Sequence, residues 1–149
     1  MPNWCANLLT VTGDHRKRRA FATCYYDADR SFFDFQRPVL LCVPPGTADP
    51  LSQGDPGSGR DVVVRERRGS TVYRFDSPWD PPRAWLRQVA LVLPRLRFHL
   101  EYADYATGMY GELQLQGGVA AVDYDRESLP GAREFVRRVF GWDPGDVDG

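Results

Sequence analysis

The stretch Tyr73-Arg74-Phe75-Asp76-Ser77-Pro78-Trp79-Asp80-Pro81-Pro82 constrains this chain more than any other. Rings at positions 73 and 75 alternate with Arg74, the period of a strand with one buried face. Two consecutive prolines then end the strand, because neither can donate an amide hydrogen to a ladder. They suit the first turn of a helix, where that hydrogen has no partner anyway. The stretch therefore reads as strand, corner and helix in immediate succession, with Asp80 as the expected helix cap.

The rest of the chain arranges itself around this corner. Trp4 to Thr12 predicts a strand with Leu8 and Thr10 on one face and Asn7, Leu9 and Val11 on the other. Gly13-Asp14 ends it and caps a helix from His15 to Ala28, with Phe21, Cys24, Tyr25 and Ala28 at helical spacing. Phe32 to Phe35 and the proline-punctuated run 38–45 predict an irregular arm with a short extended piece. Residues 46–60, rich in Gly, Pro, Ser and Asp, predict a mobile surface loop. Asp61–Glu66 and Thr71–Asp76 predict a hairpin turned by Arg67-Arg68-Gly69-Ser70.

The helix after the corner runs to Leu93, burying Trp85, Leu86, Val89, Val92 and Leu93 before Pro94 stops it. Leu96, Phe98, Leu100 and Tyr102 then alternate with Arg97, His99 and Glu101, a half-buried strand. Tyr110–Gln116 and Val119–Tyr124 flank the hairpin signal Gly117-Gly118. A last helix, Pro130–Phe140, is terminated by Gly141, and the acidic tail 143–149 is read as loose.

The order strand, helix, strand, strand, helix, strand is the split βαβ of a ferredoxin-like fold, here with an added C-terminal β-hairpin and helix. The class is α+β, one domain over residues 1–142. Its sheet is expected to contain Asn7–Val11, Val62–Arg65, Val72–Phe75 and Arg97–Glu101, the last beside the first, with two helices on one face.

With 149 residues and 42% hydrophobic content the chain can bury a real core. A net charge of −1 provides no global field to attract nucleic acid or anionic membrane. Lys17 is the sole lysine, so the positive charge is almost all arginine. No membrane-length apolar run or apolar leader is visible, and three cysteines at irregular spacing read as reduced thiols; a cytoplasmic location is expected.

Four motifs taken together resemble the YubB ferredoxin-like family of phage and plasmid proteins. They are the opening Met1-Pro2-Asn3-Trp4-Cys5-Ala6-Asn7-Leu8-Leu9-Thr10-Val11-Thr12-Gly13, then Phe33-Asp34-Phe35 and the stretch 73–82. The fourth is Leu100-Glu101-Tyr102 leading to Gly108-Met109-Tyr110-Gly111-Glu112. That family carries a Trp-Gly-Thr-Lys-Trp type segment before the middle strand, where Gly57-Ser58-Gly59-Arg60-Asp61 stands here. The resemblance implies the fold and a mobile-element origin; it implies no reaction.

Catalytic and metal signatures are missing from the linear sequence. No His, Cys or carboxylate pair has ligand spacing, so neither a metal nor a cofactor is expected. His99 and Glu101, at i and i+2, share one strand face and would serve an enzymatic reading as a general-base pair only if both project into a cleft. The main expectation is a non-enzymatic binding protein whose partner is a host or phage protein. Its candidate surface comprises Asp76, Trp79, Glu101, Tyr102 and Trp4, at loops that a rigid sheet would bring together. The alternative is a nucleic-acid module using Arg16, Lys17, Arg18 and Arg19 at the start of the first helix with the sheet aromatics Tyr73 and Phe75.

Overall fold

The structure, a computed structural model, describes residues 3–35, 58–104 and 106–141. Eleven elements follow one another: β1 (Trp4–Thr12), α1 (His15–Tyr25), β2 (Tyr26–Asp27), β3 (Phe32–Asp34), β4 (Ser58–Arg67), β5 (Ser70–Pro78), α2 (Arg83–Val92), β6 (Arg97–Asp104), β7 (Met109–Gln116), β8 (Val119–Glu127) and α3 (Leu129–Phe140). The strands form one antiparallel sheet in the order β2-β3-β4-β5-β1-β6-β7-β8. Its centre, β4-β5-β1-β6, is the expected split βαβ, and Leu9 sits directly opposite Leu100.

Alternation along each strand divides the side chains between two faces. Leu9, Val11, Tyr73, Phe75, Phe98 and Leu100 meet Phe21 and Tyr25 of α1 and Trp85, Leu86 and Val89 of α2 in the main core. The opposite face carries a smaller cluster, where Ala6 and Ala103 receive Phe135, Val136 and Phe140 of α3. Small side chains on the sheet let α3 approach closely. The third helix therefore lies on the face away from α1 and α2.

Several local expectations are corrected. Tyr26 is extended (φ −104°, ψ 124°), so α1 ends at Tyr25, three residues before Ala28. Residues 26–27 instead pair with Phe32 and Phe33, and Asp27 Oδ1 accepts the N–H groups of Asp29 and Arg30 to close the turn. Phe32–Asp34 is a regular short strand paired with Ser58 and Gly59, so residues 58–60 of the expected mobile loop belong to β4. Residues 46–57 of that loop, the run 38–45 and the tail 143–149 lie outside the described residues. Asp80 does not cap α2. The cap position is Pro82, without a side-chain bond, and the preceding prolines displace the helix start to Arg83.

Arg18 is the other departure. It is buried, and its guanidinium donates to the Gly13 carbonyl (2.9 Å), Glu66 Oε2 (2.9 Å) and Thr71 Oγ1 (2.9 Å). A buried guanidinium needs such a full set of acceptors. Here it ties the first turn of α1 to the β4–β5 hairpin.

Candidate functional site

At the strand-to-helix corner, backbone and side-chain bonds determine the path of the chain. Ser77 is buried; its Oγ accepts from Asn7 Nδ2 (2.9 Å) and donates to the Asp80 carbonyl (2.7 Å). Asn7 Nδ2 also donates to the Cys5 carbonyl (3.0 Å), so the opening motif and the corner motif are joined through one amide. The Trp79 N–H donates to the Asn3 carbonyl (2.7 Å) and the Asp80 N–H to the Pro78 carbonyl (2.9 Å). This network holds Trp79 at φ 68°, a left-handed conformation costing about 1–2 kcal/mol for a residue with a Cβ. The indole is 58% exposed.

Around this ring the sheet end is charged and aromatic. Trp4 pairs with Pro78, and the Arg60 guanidinium lies 3.2 Å from the centre of the Trp4 ring. Arg60 stands opposite Asp76, and a bulge at Asp61, with φ 54°, follows it. Burial raises the Asp76 carboxyl above its ordinary range, and the neighbouring Arg60 draws it partly back.

A second polar group occupies the α3 face of the sheet. Glu101 and Glu112 are directly opposed on β6 and β7, and His99 lies two residues along on the same face. His99 Nε2 is 2.9 Å from Glu112 Oε1 and its Nδ1 is 3.9 Å from Glu101 Oε1. The Tyr124 hydroxyl donates to Glu112 Oε2. Burial pushes Glu101 above the usual glutamate range; His99 and Arg138 oppose the shift, whereas Glu112 adds to it. For Glu112, burial is outweighed by the bonds from Tyr124 and His99, and its carboxyl lies lower than usual. The Tyr124 hydroxyl is pushed up to about 12 by burial and by Glu112.

The opposed shifts predict a pH effect. Folded Glu101 holds its proton to higher pH than the unfolded chain, whose glutamates titrate near the ordinary 4.5. Its ionisation therefore disfavours the fold: the Glu101 contribution is full below that value and declines as pH rises through the folded one, whereas Glu112, shifted down, contributes in the opposite sense. Glu101→Gln is expected to remove the decline, so that the variant gains on the wild type between about pH 4 and pH 7. Urea-unfolding midpoints at the two pH values measure it; an unchanged difference would show that Glu101 is not the source of the decline.

The expected surface is only partly assembled. Trp4, Asp76 and Trp79 gather at the corner. Glu101 lies on the α3 face, with Ala6 and Leu8 of β1, which pack under α3, between it and Asp76. Tyr102 is fully buried on the other face, its hydroxyl donating to the Tyr124 carbonyl (3.0 Å), so it is a core residue and not a contact residue. The glycines of the fourth motif have structural reasons: a Cβ at Gly108 would meet the backbone at Leu129, and one at Gly111 would meet Tyr102 and Tyr124.

Of the four basic residues in the first helix, Arg18 is committed as above, while Arg16, Lys17 and Arg19 are exposed. The N-cap Asp14 already places a carboxylate at that helix end, accepting from the Arg16 N–H (2.7 Å). Tyr73 and Phe75 are buried between sheet and helices and offer no stacking face. The burial of Cys5 pushes its thiol well up, consistent with an inert core residue.

Arg60, Glu112 and Tyr124 escaped the reading of the sequence. Aligning the apolar positions Phe98 and Leu100 with Leu115 and Leu113 would have placed Glu112 beside His99 and Glu101. No local pattern points to the Arg60–Trp4 stack, which depends on the bulge.

The architecture is that of a ferredoxin-like domain extended at both sheet edges. The chain belongs to the family described as the ferredoxin-like domain in Api92-like protein, which matches residues 61–141. Among solved structures it is similar to the crystal structure of protein api92 from Yersinia pseudotuberculosis, at 19% identity and a TM-score of 0.44. That likeness covers 60% of this chain and 39% of the other. No curated protein matches the chain. No helix among the described residues is long and apolar enough to cross a membrane.

Proposed function

We propose that this chain is a non-enzymatic binding protein that docks a protein partner through the corner formed by Trp79, Trp4, Arg60 and Asp76. The observation that carries the reading is Trp79 itself. A large ring, 58% exposed, stands on a left-handed backbone held by the Asn3 and Ser77 bonds. Strain retained at an exposed aromatic is characteristic of binding sites, since packing gains nothing from it. Tryptophan and arginine dominate interface hot spots, and a charged rim beside the rings suits a polypeptide surface. A net charge of −1 supports a protein partner over nucleic acid.

The same proposal takes the partner to be a host protein in the cytoplasm and the chain to be a YubB-like product of a phage or other mobile element, on the strength of the four ordered motifs. Trp79→Ala is expected to leave thermal stability within about 0.5 kcal/mol, as for other surface positions. It is expected to weaken partner binding by about 2 kcal/mol or more. Affinity capture from host lysate with wild-type and variant baits, followed by mass spectrometry, tests this. Equal recovery of the partner on both baits would sink the proposal, as would a bound species absorbing at 260 nm that proves to be nucleic acid.

A further inference from the structure

We propose that His99, Glu101 and Glu112 form a site for one divalent transition-metal ion of the zinc or manganese type. One ligand atom from each residue can be chosen so that all three lie within 4.8 Å of one another, a spread a single ion can draw together. The three side chains are 32%, 17% and 20% exposed, so the site is sheltered yet open to entry.

The donor set selects the ion class. One imidazole and two carboxylates suit zinc or manganese; calcium and magnesium prefer all-oxygen shells, and copper(I) prefers sulfur. Three protein donors leave a position for water, the arrangement of an open metal site. The frame is rigid, because Glu101 and Glu112 are a directly opposed pair in a regular ladder and His99 shares their face. Tyr124 holds Glu112 by Oε2, leaving Oε1 turned towards His99. Such an outer hydrogen bond is what orients a ligating carboxylate.

Electrostatics favours a cation. Two carboxylates face each other at half-buried positions, and Arg138 is the guanidinium that acts on both. A divalent ion replacing the His99–Glu112 hydrogen bond would offset the repulsion and the desolvation together. Protons compete with a metal ion for imidazole and carboxylate lone pairs, so affinity is expected to rise with pH.

The test is calorimetric titration of the full chain with zinc chloride alone and manganese chloride alone at about pH 7.5, repeated at about pH 5.5. One ion per chain is expected, with binding weakened at the lower pH. His99→Gln and Glu112→Gln are each expected to weaken it by about tenfold or more. Tyr124→Phe, which keeps all three ligands, should weaken it by about tenfold and keeps the question answerable if a ligand variant fails to fold. No binding of either ion at about 1 mM overturns the proposal, since it corresponds to only about 4 kcal/mol. Undiminished zinc binding by the folded ligand variants overturns it as well, by placing the ion at the thiols or elsewhere.

Discussion

Phe33→Ala is expected to lower stability by about 3–5 kcal/mol, the cost of removing a fully enclosed aromatic ring. Phe33 is 0% exposed although its strand has only three residues. Its ring centre lies 5.0 Å from those of Tyr73 and Phe75, 5.6 Å from Tyr26, and 6.1 Å from Phe21 and Trp85. Each of these belongs to a different part of the chain or to the strand beside it, so the cavity cannot close by moving one side chain. Urea unfolding monitored by circular dichroism measures the effect. A loss under about 1 kcal/mol, typical of unburied positions, would show that β3 does not hold its ring in the core in solution.

Gly111→Ala is expected to cost about 1–3 kcal/mol or more, although alanine normally suits a strand better than glycine. A Cβ at this position would fall within the van der Waals envelope of the Tyr124 carbonyl and the Tyr102 hydroxyl. The carbonyl belongs to the adjoining strand, and moving it would disturb the β7–β8 ladder and the bond it accepts from Tyr102. Tyr102→Phe removes the hydroxyl, the nearer of the two Tyr102 atoms, while its ring carbon Cζ remains; it should recover part of the loss in the double variant, measured as a coupling energy. If Gly111→Ala is neutral and the cycle additive, the close approach at Gly111 does not constrain the sheet.

These two residues show why motifs could be seen before their reasons. Phe33 and Gly111 both stand in motifs that the sequence marks out, but neither contact that explains them is local. Phe33 is explained by rings from β5, α1 and α2, and Gly111 by a tyrosine on each neighbouring strand. The candidate site divides in the same way. Trp79 and Asp76 were legible because prolines and alternation mark a corner, whereas Arg60 reaches Trp4 only through pairing beyond a bulge. Alternation already sets Tyr102 with Phe98 and Leu100, and its burial in the main core follows that period rather than its place at the end of a strand motif.

The sequence by itself determined the succession of elements and the face on which most side chains lie. Those properties follow from backbone constraints and side-chain period within a few residues: prolines and Gly141 stop helices, and alternation assigns strand faces. Only the tertiary structure decided register, the conversion of Tyr26–Asp27 into strand, the placing of α3 opposite the other helices, and the burial of Arg18 among Gly13, Glu66 and Thr71. It alone brought Glu112 to His99 and turned Trp79 outward. Register, strand partners and burial depend on contacts between residues distant in sequence, whose energies outweigh the few tenths of a kcal/mol, roughly, that local preferences supply.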